Sequence, residues 1–210
     1  MEKIIAKELL SISAVFLRPE QPFTWASGIK SPIYCDNRLI LTAPSAREKV
    51  EAGLAELVRK HFPECECLMG TSTAGIAHAA IAATILNMPM GYVRSGAKDH
   101  GRTNRIEGKL EPGTKVVVIE DLISTGGSSL KAVQAIRKSG CEVIGMVASF
   151  TYGFSVATEA FENAGVKLIT LTDYEAVLEA AKATGYINED VMPTLKEWRA
   201  NPSEWRNDLK

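Results

Sequence analysis

The stretch that most restricts what this chain can fold into is Val116-Val117-Val118-Ile119-Glu120-Asp121-Leu122-Ile123-Ser124-Thr125-Gly126-Gly127-Ser128-Ser129. Four β-branched residues run into two adjacent carboxylates, a loop of small and hydroxyl residues follows, and Leu130, Val133 and Ile136 then recur at helical spacing. An unbroken apolar run of this kind suits a strand buried on both faces, so the pattern predicts a parallel strand, a tight turn and a helix that starts at the turn.

The turn has the chemistry of an anion cradle. Gly126 and Gly127 let the backbone approach a ligand, and Ser124, Thr125, Ser128 and Ser129 offer hydroxyls. The free N–H groups at a helix start, with the helix dipole behind them, favour negative charge. No Gly-Lys-Ser/Thr closes the loop, so it is not a Walker A sequence. Carboxylates repel phosphate but accept hydrogen bonds from sugar hydroxyls. An acid pair followed by a cradle therefore points to a ribose beside a phosphate. The alternative is a buried strand ending at an acidic, helix-capping turn.

With 210 residues, the chain is long enough for one α/β domain with a proper core. Apolar residues make up 46% and charged residues 23%, as in a soluble globular protein. A net charge of -1 offers no global basic field for nucleic acid, so any anion site must be local. Cys65 and Cys67 are too near for an ordinary disulfide. With Cys35 and Cys141 they form no zinc set, so inert thiols in a reducing cytoplasm are expected. Glu2, Lys3, Lys7 and Glu8 interrupt the apolar residues of the N-terminus, which is expected to be neither a signal peptide nor a membrane span.

Taken in order, Ile5, Leu9, Ile12 and Phe16 predict a helix over 2–16. Residues 23–38 mix aromatics with a Ser-Gly turn and a Ser-Pro step, suiting two short strands that stand apart as a hood, or an ordinary hairpin. A helix is expected over 45–61 and a strand over 65–69. The turn Gly70-Thr71-Ser72-Thr73-Ala74-Gly75 follows, either a second anion cradle or a plain strand-to-helix connection. After a strand over 90–94, residues 95–109 are polar for longer than is usual inside a compact domain, which marks a functional or mobile loop, or a solvated hairpin. Further strands are expected over 115–120, 143–148 and 166–171, with Gly140 closing the helix between the first two and a helix over 155–163. Thr172 and Glu175 read as a capping box for a helix with Tyr174, Val177, Leu178 and Ala181 inward. Val191, Leu195 and Trp198 mark a last helix, and Trp205 and Leu209 are candidates to dock the tail. Strands alternating with helices imply an α/β fold with a mostly parallel, twisted sheet flanked by helices, its site at the strands' carboxyl ends.

The segment from Glu120 to Ser128 resembles the phosphoribosyl-diphosphate signature of the type I phosphoribosyltransferases. Phe23-Thr24-x-x-Ser27-Gly28-x-Lys30-Ser31-Pro32 with Tyr34 looks like the hood of the orotate branch, and Arg94-x-x-x-Lys98-Asp99-His100-Gly101 like its closing loop. The resemblance covers nearly the whole chain and implies one domain over 1–210, with a hood formed largely by 1–40 and a mobile loop near 95–109. It implies transfer of 5-phosphoribose from its 1-diphosphate to orotate, with Mg²⁺ bound mainly through the substrate and with no dedicated protein metal ligand. It further implies a cytoplasmic homodimer whose loop closes over the neighbouring subunit, with no nucleic-acid or membrane partner. By the same resemblance Lys98, His100, Arg94 and Asp121 are catalytic. The phosphoribosyl diphosphate is held by Thr73, Ala74, Arg94, Lys98, His100, Glu120, Asp121, Leu122, Ile123, Ser124, Thr125, Gly126, Gly127 and Ser128. Orotate is met by Ser124 and Tyr34. Basic residues that some relatives carry are replaced here by Ala26, Ala74 and Ser95, and an Asp-Arg pair is missing near Thr151. Two other functions compete: a purine phosphoribosyltransferase, and a regulator that binds the sugar diphosphate without turning it over. No decarboxylase domain follows, so a fused UMP synthase is not expected.

Overall fold

The computed structural model describes residues 1–25, 28–96 and 105–206. α1 (Glu2–Ser11) leads to four short strands, β1 (Val15–Leu17), β2 (Phe23–Thr24), β3 (Lys30–Ser31) and β4 (Ile33–Cys35). A 3₁₀ segment (Asn37–Thr42) precedes α2 (Pro44–His61), β5 (Cys67–Thr71), α3 (Gly75–Leu86), β6 (Met90–Val93) and β7 (Ile106–Glu107). Then come β8 (Lys115–Ile123), α4 (Gly127–Lys138), β9 (Glu142–Thr151), α5 (Ser155–Asn163), β10 (Leu168–Asp173) and α6 (Tyr174–Ala183). A 3₁₀ turn (Glu189–Val191) and α7 (Met192–Ala200) complete the described chain.

Six strands form the main sheet in the order β10-β9-β8-β5-β6-β7, all parallel except the edge strand β7, which runs antiparallel to β6. β8 lies inside it, as its apolar run predicts. Val117 and Ile119 face one core with α1, α2, α3 and α6, while Val116 and Val118 face another with α4 and α5. Burial on both faces is what lets a strand dispense with alternating polar residues. Successive steps from β5 go to β6 on one side, and the chain later returns to place β8 on the other. The crevice between the carboxyl ends of β5 and β8 is therefore the topological switch point, where such sheets bind ligands.

The hood consists of two antiparallel pairs, β1 with β4 and β2 with β3. It is fixed to the sheet by aromatic packing. The Trp25 ring lies 5.2 Å from Tyr152 and 5.7 Å from Trp198, and Trp198 Nε1 donates to the Lys30 carbonyl at 3.0 Å. Trp205 is buried, so the tail docks as expected, whereas Leu209 lies outside the described residues.

Several element boundaries differ from the sequence reading. The first helix ends at Ser11, not at 16. Ser13 enters the left-handed region (φ 56°), and Phe16 instead pairs with Tyr34 in the hood. The strand expected over 65–69 begins at Cys67 and runs on through Gly70 and Thr71, so Cys65 lies before it. β8 and β9 both extend three residues further because Leu122 pairs with Phe150 and Ile123 with Thr151. β10 starts and ends two residues later than expected. The cap of α6 is Asp173, whose carboxylate accepts from the Ala176 N–H at 2.8 Å. Thr172 is still within β10, with its hydroxyl buried and unpartnered among the described residues.

Candidate active site

A cleft of about 690 Å³ opens at the switch point. Its walls come from four stretches far apart in sequence: the end of the hood (Cys35–Arg38), the turn after β5 (Thr71–Ala74), the end of β6 with Arg105, and the β8–α4 step with Glu120–Leu122, Gly127, Ser128 and Lys131. Glycine makes the β5 turn possible. A Cβ on Gly75 would stand 2.5 Å from Thr71 Oγ1 and 2.6 Å from the Ile119 carbonyl, so only glycine lets α3 begin this close to β5 and β8. At the second turn, Gly126 has φ +80° and a Cβ there would meet the Phe161 ring at 2.7 Å. That conformation directs the chain into α4 with the N–H groups of its first turn toward the cleft.

The acid pair is not symmetric. Glu120 is buried and already satisfied: Thr71 Oγ1 donates to it at 2.5 Å, Ser129 Oγ at 2.9 Å and the Asp121 N–H at 3.1 Å. Burial, and then the neighbouring Asp121 charge, push its carboxyl up to about 8. Asp121 is half-buried and faces the cleft, and its carbonyl accepts from Asn37 Nδ2 at 2.7 Å. Asp121 is thus the carboxylate available to a sugar hydroxyl, while Glu120 ties the ends of β5 and β8 to the first turn of α4. Treating the two acids as equal ligands, as their adjacency suggests, misses this division. Ser129, one of the hydroxyls read as a donor to the ligand, is spent on Glu120.

Donors remain for an anion. Ser72 Oγ and Arg94 Nη1 both lie at the cleft, buried and without a hydrogen-bond partner among the described residues. Among the described residues Arg94 Nη1 faces Glu107 Oε1 at 3.7 Å, an ion pair longer than a hydrogen bond. Such orphaned polar atoms are rare in folded proteins and mark a place where a ligand completes the pairing. Arg105 donates from Nε to the Arg94 carbonyl at 2.9 Å and from Nη2 to the Ser95 carbonyl, clamping the stem of the polar loop at the cleft edge.

Of the residues expected at the site, Thr73, Ala74, Arg94, Glu120, Asp121, Leu122, Gly127 and Ser128 line this one cleft. Ile123 does not: its side chain is fully buried in the apolar core below α4. Ser124, Thr125 and Gly126 bridge β8 and α4 without lining the cleft. Tyr34 is also absent from the lining. Alternation along β4 turns it away from Ile33 and Cys35, and its ring packs on Phe23 at 5.6 Å. Lys98 and His100 lie outside the described residues, as does Ala26. Sequence reasoning gave no role to Asn37, Arg38, Arg105 or Lys131. Lys131 was within reach, since it sits three and four residues after Ser128 and Gly127 on one helix face. Asn37 and Arg38 acquire meaning only once the hood folds against β8.

This α/β architecture, with a hooded cleft at its switch point and an acid-then-cradle turn, defines a protein that handles a phosphorylated sugar. Residues 40–175 match the family model described as "Phosphoribosyl transferase domain". The orotate phosphoribosyltransferase of Phocaeicola vulgatus is 58% identical over 205 residues, 98% of this chain and 97% of that protein. The orotate phosphoribosyltransferase of Cytophaga hutchinsonii is 54% identical over 204 residues, 97% of this chain and 98% of that one. A crystal structure of orotate phosphoribosyltransferase from Aeropyrum pernix superposes with a TM-score of 0.76 at 29% identity, covering 88% of this chain and 99% of the other. The chain belongs to the phosphoribosyltransferase family, in its orotate phosphoribosyltransferase branch.

Proposed function

We propose that this chain transfers 5-phosphoribose from 5-phospho-α-D-ribose 1-diphosphate to N1 of orotate, giving orotidine 5′-monophosphate and diphosphate. It is an enzyme of pyrimidine biosynthesis, a pentosyl-transferring glycosyltransferase. The observation that carries the reading is the convergence at one cleft of Asp121, the start of α4 at Gly127 and Ser128, and the buried atoms Ser72 Oγ and Arg94 Nη1, which make no hydrogen bond among the described residues.

In the reaction the C1–O bond breaks and its electron pair leaves with the diphosphate, while N1 of orotate forms a bond to C1 and gives up its proton to the departing diphosphate or to water. Positive charge grows on the sugar and negative charge on the leaving group. Asp121 holds the ribose hydroxyls near the cationic sugar, and the N–H groups of the first turn of α4 hold the 5′-phosphate with Ser128. Ser72, Thr73 and the backbone at Ala74 hold the diphosphate, and Arg94 neutralises its developing charge. By family resemblance Lys98 and His100 join them when the 95–109 loop closes and excludes water, the competing acceptor. The donor set fits Mg²⁺ carried in with substrate: of the cleft carboxylates Asp36 is paired with Arg38 and Glu120 is held by Thr71 and Ser129, and Asp121 beside phosphate oxygens suits a hard ion that keeps its waters. No cluster of three potential ligands exists among the described residues. Bound through the diphosphate oxygens, Mg²⁺ would supply further neutralisation of the leaving group.

We also propose that residues 1–210 act as one unit with a hood over 1–40, in a cytoplasmic homodimer. No helix among the described residues is long and apolar enough to cross a membrane, and the cysteines are unpaired. The test is diphosphate release with orotate, adenine, hypoxanthine or xanthine, with and without Mg²⁺. Release with orotate alone among these bases, dependent on Mg²⁺, is expected. Release with a purine would shift the assignment to the purine enzymes, and binding of the sugar diphosphate without release to a regulator.

A further inference from the structure

We infer that Arg38 is the cation that reads the carboxylate of orotate and so separates this base from pyrimidines that lack one. The inference rests on the functional reading above.

Orotate brings a negative charge on its ring into a partly closed cleft, and a desolvated carboxylate needs a paired cation. Four cations line the cleft among the described residues: Arg38, Arg94, Arg105 and Lys131. Arg105 is committed to the two carbonyls of the loop stem. Lys131 lies one turn into α4, behind Gly127 and Ser128, on the phosphate cradle. Arg94 follows β6 on the side of the Ser72 turn, where the diphosphate binds. Arg38 alone stands on the hood side.

Its backbone is anchored to that of Asp121. Asn37, the preceding residue, is buried and donates to the carbonyl of Asp121, the residue assigned to the ribose hydroxyls. A base attached at C1 of that ribose lies next to this turn. The guanidinium is also oriented. Asp36 grips one edge through Nε at 2.6 Å and Nη2 at 2.7 Å, and accepts from the Arg38 N–H at 3.2 Å. A guanidinium has a second edge, Nη1 with the outer hydrogen of Nη2, able to take another carboxylate end-on. That edge has no partner among the described residues, and the side chain is 68% exposed. Asp36 therefore acts as a positioning residue that offers the free fork of Arg38 to the base. This supplies the contact for which the sequence, lacking a basic residue at Ala26 and near Thr151, has no evident donor.

The test compares the products that differ only by the carboxylate, orotidine 5′-monophosphate and UMP. Their binding to the full-length protein is measured by calorimetry for the wild type, R38Q and R38K, alongside steady-state kinetics with orotate. R38Q is expected to weaken orotidine monophosphate by about ten- to a hundredfold while leaving UMP within about twofold. KM for orotate should rise far more than KM for the sugar diphosphate. R38K, which keeps the charge but not the fork, should fall between. Retained UMP binding certifies that R38Q is folded. An unchanged preference for orotidine monophosphate, or equal weakening of both nucleotides, would overturn the assignment of Arg38. A wild type that releases no diphosphate with orotate would instead overturn the functional reading.

Discussion

Glu120 shows how far one side chain's role depends on its surroundings. An isolated glutamate titrates near 4.5, but here burial and the adjacent Asp121 charge carry it to about 8. Between those values the folded protein holds a proton that the unfolded chain has lost. Stability contributed by this group is therefore complete below pH 4.5 and falls as pH rises through 8. Glu120→Gln keeps the size and the acceptor while removing the titration. In the ligand-free protein the difference between variant and wild-type denaturation midpoints should grow in favour of the variant from pH 6 to 9. Parallel profiles across that range would mean that Glu120 is ionised throughout. The sequence showed that an acid pair precedes a cradle, because adjacency and composition are local facts. Which acid faces solvent depends on Thr71 and Ser129, which come from two other elements, and could not be read locally.

At the level of elements, the interiors of strands and helices were legible and their ends were not. Apolar periodicity reports burial, and it located α2, α4, α5 and the centres of β5, β8 and β9. Where a strand stops depends on its neighbour: β8 continues through two carboxylates because β9 still pairs with it. The start of α6 offers a direct check, since a Thr172–Glu175 box and an Asp173 cap make opposite forecasts. Asp173→Ala removes the observed bond to the Ala176 N–H and should cost about 1 kcal/mol in urea denaturation. Thr172→Val removes a buried hydroxyl with no partner among the described residues, and should be neutral or slightly stabilising. Neither lines the cleft, so turnover should be unchanged. A larger loss from the threonine variant would reinstate the original cap.

For the whole molecule, the order of elements was enough to place the site, because a parallel sheet whose chain reverses direction must leave a crevice at the switch point. What the chain's own order cannot specify is whose loop closes that crevice. Arg94, Ser95 and Arg105 hold the loop's stem at the edge of their own cleft. The family resemblance has the loop reach a neighbouring subunit, and for the homodimer proposed above mixed dimers decide between the two. Lys98→Ala and Asp121→Asn should each abolish most turnover with little effect on folding, one from the loop and one from the cleft. If loops act in trans, a dimer of one variant with the other contains one site with an intact aspartate and an intact lysine, and one site with neither. Random reassociation of equal amounts would make half the dimers mixed, so about a quarter of wild-type activity should return. If each loop served its own cleft, every site in the mixture would lack one of the two residues, and activity would stay at the level of the separate variants.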